Sequence, residues 1–215
     1  MRRMLFEKTG TAIWMSHLDT MRLMQRAFRR AGVLLHHSQG FTPHAYVSLP
    51  LPLSVGMESL CEIMEYEIDE ELNITAEGMN KVMPAGVRVL AVYESSVKAK
   101  HITYLQAELR LFYENGMPEN AANDIAALLS GETLMVEKRS KRGIEETDIR
   151  LLIRNCELVH GEKELKLICT VCAQNPSLNP QLIVTAIETH LPRHKPDYFR
   201  CKRLEIFDEE GKVFR

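Results

Sequence analysis

The sequence lacks any apolar run long enough to cross a bilayer. Of its 215 residues, 45% are hydrophobic and 26% are charged, and no stretch approaches the ~20 consecutive apolar residues that a spanning helix needs. The start, Met1-Arg2-Arg3-Met4, also lacks the apolar segment of a signal peptide. We therefore expect a folded protein that stays in the cytoplasm.

Cysteine is scarce, and the five residues present are too scattered to hold an iron-sulfur cluster, which needs three closely spaced thiolates. An odd number in a chain of this size favours reduced thiols, so we expect no structural disulfide. Cys169 and Cys172 form the only close pair, and a separation of three residues in a strand places them on opposite faces. We interpret both as packed thiols, with a redox or zinc role as the alternative. No cofactor and no metal are expected.

The net charge of -2 conceals an uneven distribution along the chain. Residues 1–50 contain seven arginines and lysines but only two acidic residues, whereas residues 58–77 are strongly acidic. This asymmetry predicts one positive and one negative region of the molecule.

The order of the elements predicts an α+β fold made of two tandem ferredoxin-like (β-α-β-β-α-β) units, residues 1–95 and 96–215, with the boundary near 94–102. Ser16 with Asp19 resembles a capping box, and Gly32 suits a left-handed helix end. The predicted helices cover residues 16–31, 75–83, 118–130 and 180–191. The predicted strands include residues 3–14, 62–68, 87–93, 105–113, 133–138, 148–154, 164–173 and 199–207.

The helix over residues 16–31 separates into an apolar face and an arginine face. At 100° per residue, Arg22, Arg26, Arg29 and Arg30 fall within one sector, and Met21, Leu23, Met24, Ala27, Phe28 and Ala31 fall in another. Arginines spaced by four residues repel one another, and their guanidinium groups suit bidentate phosphate contact. The alternatives are a solvated face, RNA binding and docking onto an acidic protein surface.

Histidines are concentrated in the first 50 residues. His17, His36, His37 and His44, with Asp19, could form a metal site or an acid/base site, although their spacing fits no zinc template. The alternative is that His17 and Asp19 belong to the first turn of a helix and the others to a loop.

Two loops are further candidates for ligand contact. Ser38, Gln39, Gly40 and Phe41 form either a plain turn or a loop whose glycine lets backbone amides approach a phosphate or a base. Lys138, Arg139, Lys141 and Arg142 lie between two predicted strands and form either a solvated hairpin end or a second basic surface.

Four stretches of the first half resemble the signature of the radical-SAM-linked (radical SAM-associated) protein family, DUF2344. They are Trp14-Met15-Ser16-His17-Leu18-Asp19, Arg26-Ala27-Phe28-Arg29-Arg30-Ala31-Gly32, Ser38-Gln39-Gly40-Phe41-Thr42-Pro43-His44 and Leu51-Pro52-Leu53-Ser54-Val55-Gly56-Met57-Glu58-Ser59. Members of that family are typically found beside, or fused to, a cobalamin-binding radical SAM protein. The resemblance therefore implies a radical SAM partner, and it singles out His17, Asp19 and His44 because they fall within the matched stretches.

Taken together, the residues and the resemblance favour an accessory module that binds RNA, or an RNA-containing assembly, and works with a separate cobalamin-dependent radical SAM protein. The ferredoxin-like unit is a common RNA-binding scaffold, but the aromatic sheet motif is absent from the acidic residues 62–68, so the helix and loops would bind instead. The alternative is an RNA-processing or RNA-modifying enzyme that uses His17, Asp19 and His44.

Overall fold

The computed structural model describes residues 1–69, 72–140, 143–161 and 163–215, with the backbone alone at 138–140 and 160. The chain divides into two compact units. The first unit comprises residues 1–101 with Arg215, and the second unit comprises residues 102–214. The sequence-based division between residues 95 and 96 lies slightly earlier in the chain.

Among the residues that the structure describes, the first unit contains a sheet of four antiparallel strands, and two α-helices connect strands of this sheet along the chain. Its strands have the order β4-β1-β3-β2. Short 3-10 helices cover Gly10–Trp14 and Ala99–His101. The elements are β1 (Arg2–Lys8), α1 (His17–Arg30), β2 (Val47–Ser48), β3 (Glu58–Tyr66), α2 (Ala76–Asn80) and β4 (Val87–Glu94).

The apolar face of α1 closes the core of the first unit. Met24, Ala27 and Phe28 are fully buried, and the Phe28 ring lies 4.8 Å from the ring of Tyr66 on β3. Burying a side chain of this size contributes roughly 1.5–3 kcal/mol. Because the apolar residues of α1 recur at helical spacing, burial of this face follows directly from the sequence pattern.

The second unit contains a four-stranded antiparallel sheet and a separate hairpin. Its sheet has the order β10-β5-β9-β8, and β6 pairs with β7 in a separate two-stranded sheet. Short 3-10 helices cover Arg150–Leu152 and Pro192–His194. The elements are β5 (Tyr104–Phe112), α3 (Ala121–Ser130), β6 (Met135–Ser140), β7 (Gly143–Asp148), β8 (Ile153–His160), β9 (Glu164–Cys172), α4 (Gln181–His190) and β10 (Tyr198–Phe207).

The α+β class is confirmed, with strands that pair antiparallel within each unit. Two strand predictions were wrong in their extent. β1 stops at Lys8 because Gly10, at a φ of 56°, leaves the extended conformation and begins a 3-10 helix. The strand predicted over residues 148–154 is instead the end of β7, a 3-10 turn and the start of β8.

The expectation that the chain has no disulfide was also wrong. Cys156 on β8 and Cys169 on β9 are register partners with a Cα–Cα distance of 4.1 Å, and the two are joined by a disulfide. Directly opposed residues on antiparallel strands lie close enough for such a bond. Cys169 is buried and Cys172 is half-buried, in agreement with their expected positions on opposite faces of β9.

Within the described part of the chain, no helix is long and apolar enough to cross a membrane.

Candidate functional site on the first unit

The first turn of α1 is fixed by a reciprocal capping box. The Ser16 hydroxyl accepts a hydrogen bond from the Asp19 amide at 3.2 Å, and the Asp19 carboxylate accepts from the Ser16 amide at 3.3 Å and from the Ser16 hydroxyl at 2.7 Å. These bonds, with the nearby Arg22 guanidinium, hold the pKa of Asp19 below its usual value. Asp19 therefore stays ionised at neutral pH, as a helix cap does, and is poorly suited to donate a proton.

The four arginines of α1 are all exposed, as the helical spacing predicts. Arg22 lies 3.7 Å from Asp19, a weak exposed ion pair, and Arg30 donates to the backbone carbonyl of Val82 at 2.7 Å. Within the described residues, neither Arg26 nor Arg29 has an ion-pair partner or a side-chain hydrogen bond. These two guanidinium groups are the ones left available to an external anion.

Two other basic residues of the first 50, Arg3 and Lys8, do not add to the exposed arginine face of α1. Arg3 is fully buried, where its guanidinium donates to Glu65 at 2.7 and 3.0 Å. Lys8 is 2% exposed, and its ammonium donates to the Met15 carbonyl at 2.7 Å. The positive region predicted from composition is thus narrower than the residue count suggested.

The loop between α1 and β2 presents an aromatic side chain to solvent. The Ser38 amide donates to the His44 carbonyl at 2.9 Å, and the His44 amide donates to the Ser38 hydroxyl at 3.0 Å, so residues 38–44 are closed at their base. Phe41, at the far end, is fully exposed. Gly40, at a φ of 134°, adopts a backbone conformation that side chains rarely allow.

The comparison with protein-family models finds a match to "Uncharacterized protein conserved in bacteria (DUF2344)" over residues 2–180. The chain belongs to this family. The search of the curated proteins finds no match.

Among the solved structures that match this family member are two that differ in how well they superpose on it. One, "Crystal Structure of a Cbf5-Nop10-Gar1 Complex", is 8% identical with a TM-score of 0.51, and the match covers 97% of this chain but only 50% of that one. This chain thus spans about half the length of that neighbour, and the likeness concerns the fold alone. The other, "Crystal Structure of an Unknown Protein from Galdieria sulphuraria", is 10% identical over 94% of this chain and 96% of that one, with a TM-score of 0.22.

Two of the stretches that resemble the family signature, residues 14–19 and 51–59, lie close together in the first unit of this family member. The Gly56 amide donates to the Ile13 carbonyl at 2.9 Å, and a methyl group added at Gly56 would lie 3.7 Å from the Trp14 ring. Trp14 itself is 70% exposed. Trp14 was predicted to lie in a strand and was not among the candidate site residues. The signal that could have singled it out is that it is the single tryptophan of the chain and lies beside a helix cap.

The candidate acid/base residues fall on two different elements. His17 and Asp19 lie in the first turn of α1, and His44 lies at the base of the loop. His17 Nδ1 is buried without a hydrogen-bond partner in the described region. In the described ranges, no group of three or more His, Cys, Asp or Glu side chains is arranged to hold a metal ion.

The side chains of the basic run at residues 138–142 are not described by the structure. Lys141 and Arg142 lie outside the described residues, and the side chains of Lys138 and Arg139 are not described.

Proposed function

We propose that this protein is an accessory module that binds RNA, or an RNA-containing assembly, through α1 and the loop of residues 38–44, and that it works with a separate cobalamin-dependent radical SAM protein. The observation that carries the RNA proposal is the pair Arg26 and Arg29, exposed and without an ion-pair partner in the described residues. The radical SAM partner rests on the resemblance of the sequence motifs.

The arginine face of α1 carries an electrostatic cost. Like charges spaced by three or four residues repel by about 0.2–0.5 kcal/mol per pair, which phosphate binding would relieve. Guanidinium groups bind phosphate oxygens in a bidentate manner, and an exposed ring such as that of Phe41 can stack on an unpaired base. Both kinds of group occur on the same unit.

We further interpret each unit as ferredoxin-like. The order β4-β1-β3-β2 in the first unit and β10-β5-β9-β8 in the second support this reading, with the β6–β7 hairpin as an insertion. The fold by itself does not specify a ligand.

The test compares two double variants in their affinity for fluorescein-labelled RNA extracted from the native source. Arg26→Ala with Arg29→Ala should weaken binding at low salt by tenfold or more, because each lost phosphate contact removes a charge-assisted bond. The control, Arg88→Ala with Lys98→Ala, removes two exposed cations of the same unit outside α1 and should have little effect. Equal affinities for all three proteins, or no binding by the wild type, would contradict the proposal.

The radical SAM partner is tested by affinity purification of the tagged full chain from its native source under anaerobic conditions. We expect a protein with a 4Fe-4S cluster and cobalamin to co-purify, and mass spectrometry identifies it. If RNA co-purifies but no such protein does, the radical SAM partner is contradicted and the RNA proposal stands.

The second candidate is an RNA-processing or RNA-modifying enzyme, for which the buried, unpartnered His17 Nδ1 is the favouring observation. In that case His44→Ala or His17→Ala would abolish turnover of the RNA while its affinity stayed within about twofold. A binding module would show no turnover at all.

A further inference from the structure

One face of the sheet in the second unit is lined by aromatic and charged side chains. Along β5 every second residue is buried, and the partly exposed residues between them share one face. β9 alternates in the same way, and its partly exposed residues lie opposite those of β5 in the strand register. The partly exposed residues of β5 are Tyr104, Gln106, Glu108, Arg110 and Phe112.

At one end of this face lies a stacked aromatic pair with two arginines. Phe112 on β5 and Tyr198 on β10 are register partners, with ring centroids 4.5 Å apart and ring planes 10° apart. Arg110 and Arg200 are the next pair along the same face, and their guanidinium carbons lie 5.2 and 5.9 Å from the centre of the Phe112 ring. Tyr198 is 47% exposed, so its ring remains accessible.

The two arginines differ in their surroundings. Arg110 is held by Glu164, to which it donates at 2.5 and 3.2 Å. Arg200 is exposed and has no ion pair in the part of the chain that the structure describes. Arg110 is therefore fixed beside the ring, whereas Arg200 is left available for an anion.

The other end of the face carries a second aromatic–arginine contact. The Arg154 guanidinium lies 4.6 Å from the centre of the Tyr104 ring. Both residues line a cavity of about 350 Å³ together with Asn155, Thr170, Phe207, Glu210 and Gly211, and the Glu210 carboxylate is paired with Lys212. That volume falls in the ordinary range of small-ligand pockets, about 300–1,000 Å³.

The two contacts are separated by the length of β5. Tyr104 and Phe112 are eight residues apart on one strand, which corresponds to roughly 27 Å at the usual rise of antiparallel strands. A chain that touched both would need stacking groups at intervals and a negatively charged backbone between them. Single-stranded nucleic acid has both properties.

We propose that this face of the second unit binds single-stranded RNA, with bases stacking on Tyr198 and in the cavity beside Tyr104, and with Arg200 and Arg154 meeting the phosphates. The proposal rests on the RNA binding proposed above, but it assigns a second surface and a strand preference. A base pair buries the π-faces within a duplex, so stacking on side chains requires an unpaired strand. Arginines accompany both aromatic sites, and the Glu108 and Glu164 carboxylates of the same face are each paired with a cation. Charge complementarity therefore favours RNA over an apolar peptide.

The experiment measures binding of a fluorescein-labelled 12-nucleotide single-stranded RNA of mixed sequence, and of the same sequence as a duplex, to the full chain. Tyr198→Ala and Tyr104→Ala should each weaken single-strand binding by about 5- to 160-fold, which corresponds to the loss of one stacked base. Tyr198→Phe keeps the ring and should bind as the wild type does. Leu151→Ala, at a side chain of the same unit that is 84% exposed, is the matched surface control, and thermal unfolding checks that each variant is folded.

The outcomes separate this inference from the function proposed for α1. Folded tyrosine variants with unchanged single-strand affinity, or a wild type that binds the duplex as tightly as the single strand, would overturn the sheet-face site. If Arg26→Ala with Arg29→Ala still weakened binding, the α1 surface would stand alone. The reverse result, in which only the tyrosine variants lose affinity, would support the sheet face and contradict the role of α1.

Discussion

Tyr66 and Tyr113 are both buried, and they differ in whether the hydroxyl group has a hydrogen-bond partner. The Tyr113 hydroxyl donates to the His194 carbonyl at 2.9 Å, whereas the Tyr66 hydroxyl is buried without a partner in the described residues. Tyr113→Phe should therefore lower the free energy of unfolding by about 1 kcal/mol, and Tyr66→Phe should leave it unchanged or raise it by up to about 1 kcal/mol. Urea unfolding at pH 7 measures both, and equal losses would show that the Tyr66 hydroxyl has a partner after all.

The same two tyrosines predict a loss of stability at alkaline pH. Burial raises the pKa of each hydroxyl to about 12, from an ordinary value of 10. A raised pKa means that the unfolded chain loses these protons first, so stability is intact below pH 10 and falls as pH rises toward 12. Each Tyr→Phe variant should show a smaller fall over that window than the wild type.

Arg3 is a buried cation whose partner is nearly as buried. Its side chain is fully buried and that of Glu65 is 12% exposed, so Arg3→Met leaves a carboxylate without its counter-charge. Such a change should cost about 3–5 kcal/mol, whereas Arg3→Met with Glu65→Leu should recover part of it, because the carboxylate is removed with its partner. Recovery is partial because the Ser95 hydroxyl and the carbonyls of Val97 and Arg215 also lose the Arg3 donor. The control Arg88→Met, at an exposed ion pair with Glu7, should have almost no effect. A double variant no more stable than Arg3→Met alone would contradict this account.

At the scale of elements, helix α1 shows how local sequence predicts the ends of a helix. The Ser16–Asp19 capping box and Gly32, at a φ of 77°, lie where the sequence places them. Both signals depend on residues within one turn of the helix end. No knowledge of the sheet was needed.

The capping box gives a prediction for α1. Ser16→Ala removes the acceptor of the Asp19 amide and should lower the free energy of unfolding by about 1 kcal/mol. Ser16→Thr keeps the hydroxyl and should lose much less. The comparison is made by urea unfolding followed by circular dichroism, and equal losses for the two variants would mean that the hydroxyl does not cap the helix.

The β6–β7 hairpin shows why other elements were missed. Most residues of β7 are exposed, so its sequence, Gly143-Ile144-Glu145-Glu146-Thr147-Asp148, has no alternation of apolar and polar residues. Periodicity detects a strand only when one face is buried. The Cys156–Cys169 disulfide was missed for a related reason, because the spacing of two cysteines does not reveal the register of β8 and β9.

At the scale of the whole molecule, the sequence predicted which residues of α1 are exposed but not which of them are already engaged. Arg30 is bound to a backbone carbonyl and Arg3 is buried, and neither fact can be inferred from charge counting. The sheet face of the second unit was missed altogether, since Phe112 and Tyr198 are far apart in the chain and become neighbours only through the pairing of β5 with β10.

The central claim, that α1 contacts RNA phosphates, is tested most directly by the salt dependence of binding. Affinity for native-source RNA is measured between about 50 and 200 mM salt for the wild type and for Arg26→Ala with Arg29→Ala. For single strands each phosphate contact contributes about 0.7 to the slope of log affinity against log salt. We predict a steep slope for the wild type and a slope smaller by about 1.4 for the double variant. Identical slopes, or binding that does not change with salt, would contradict the account.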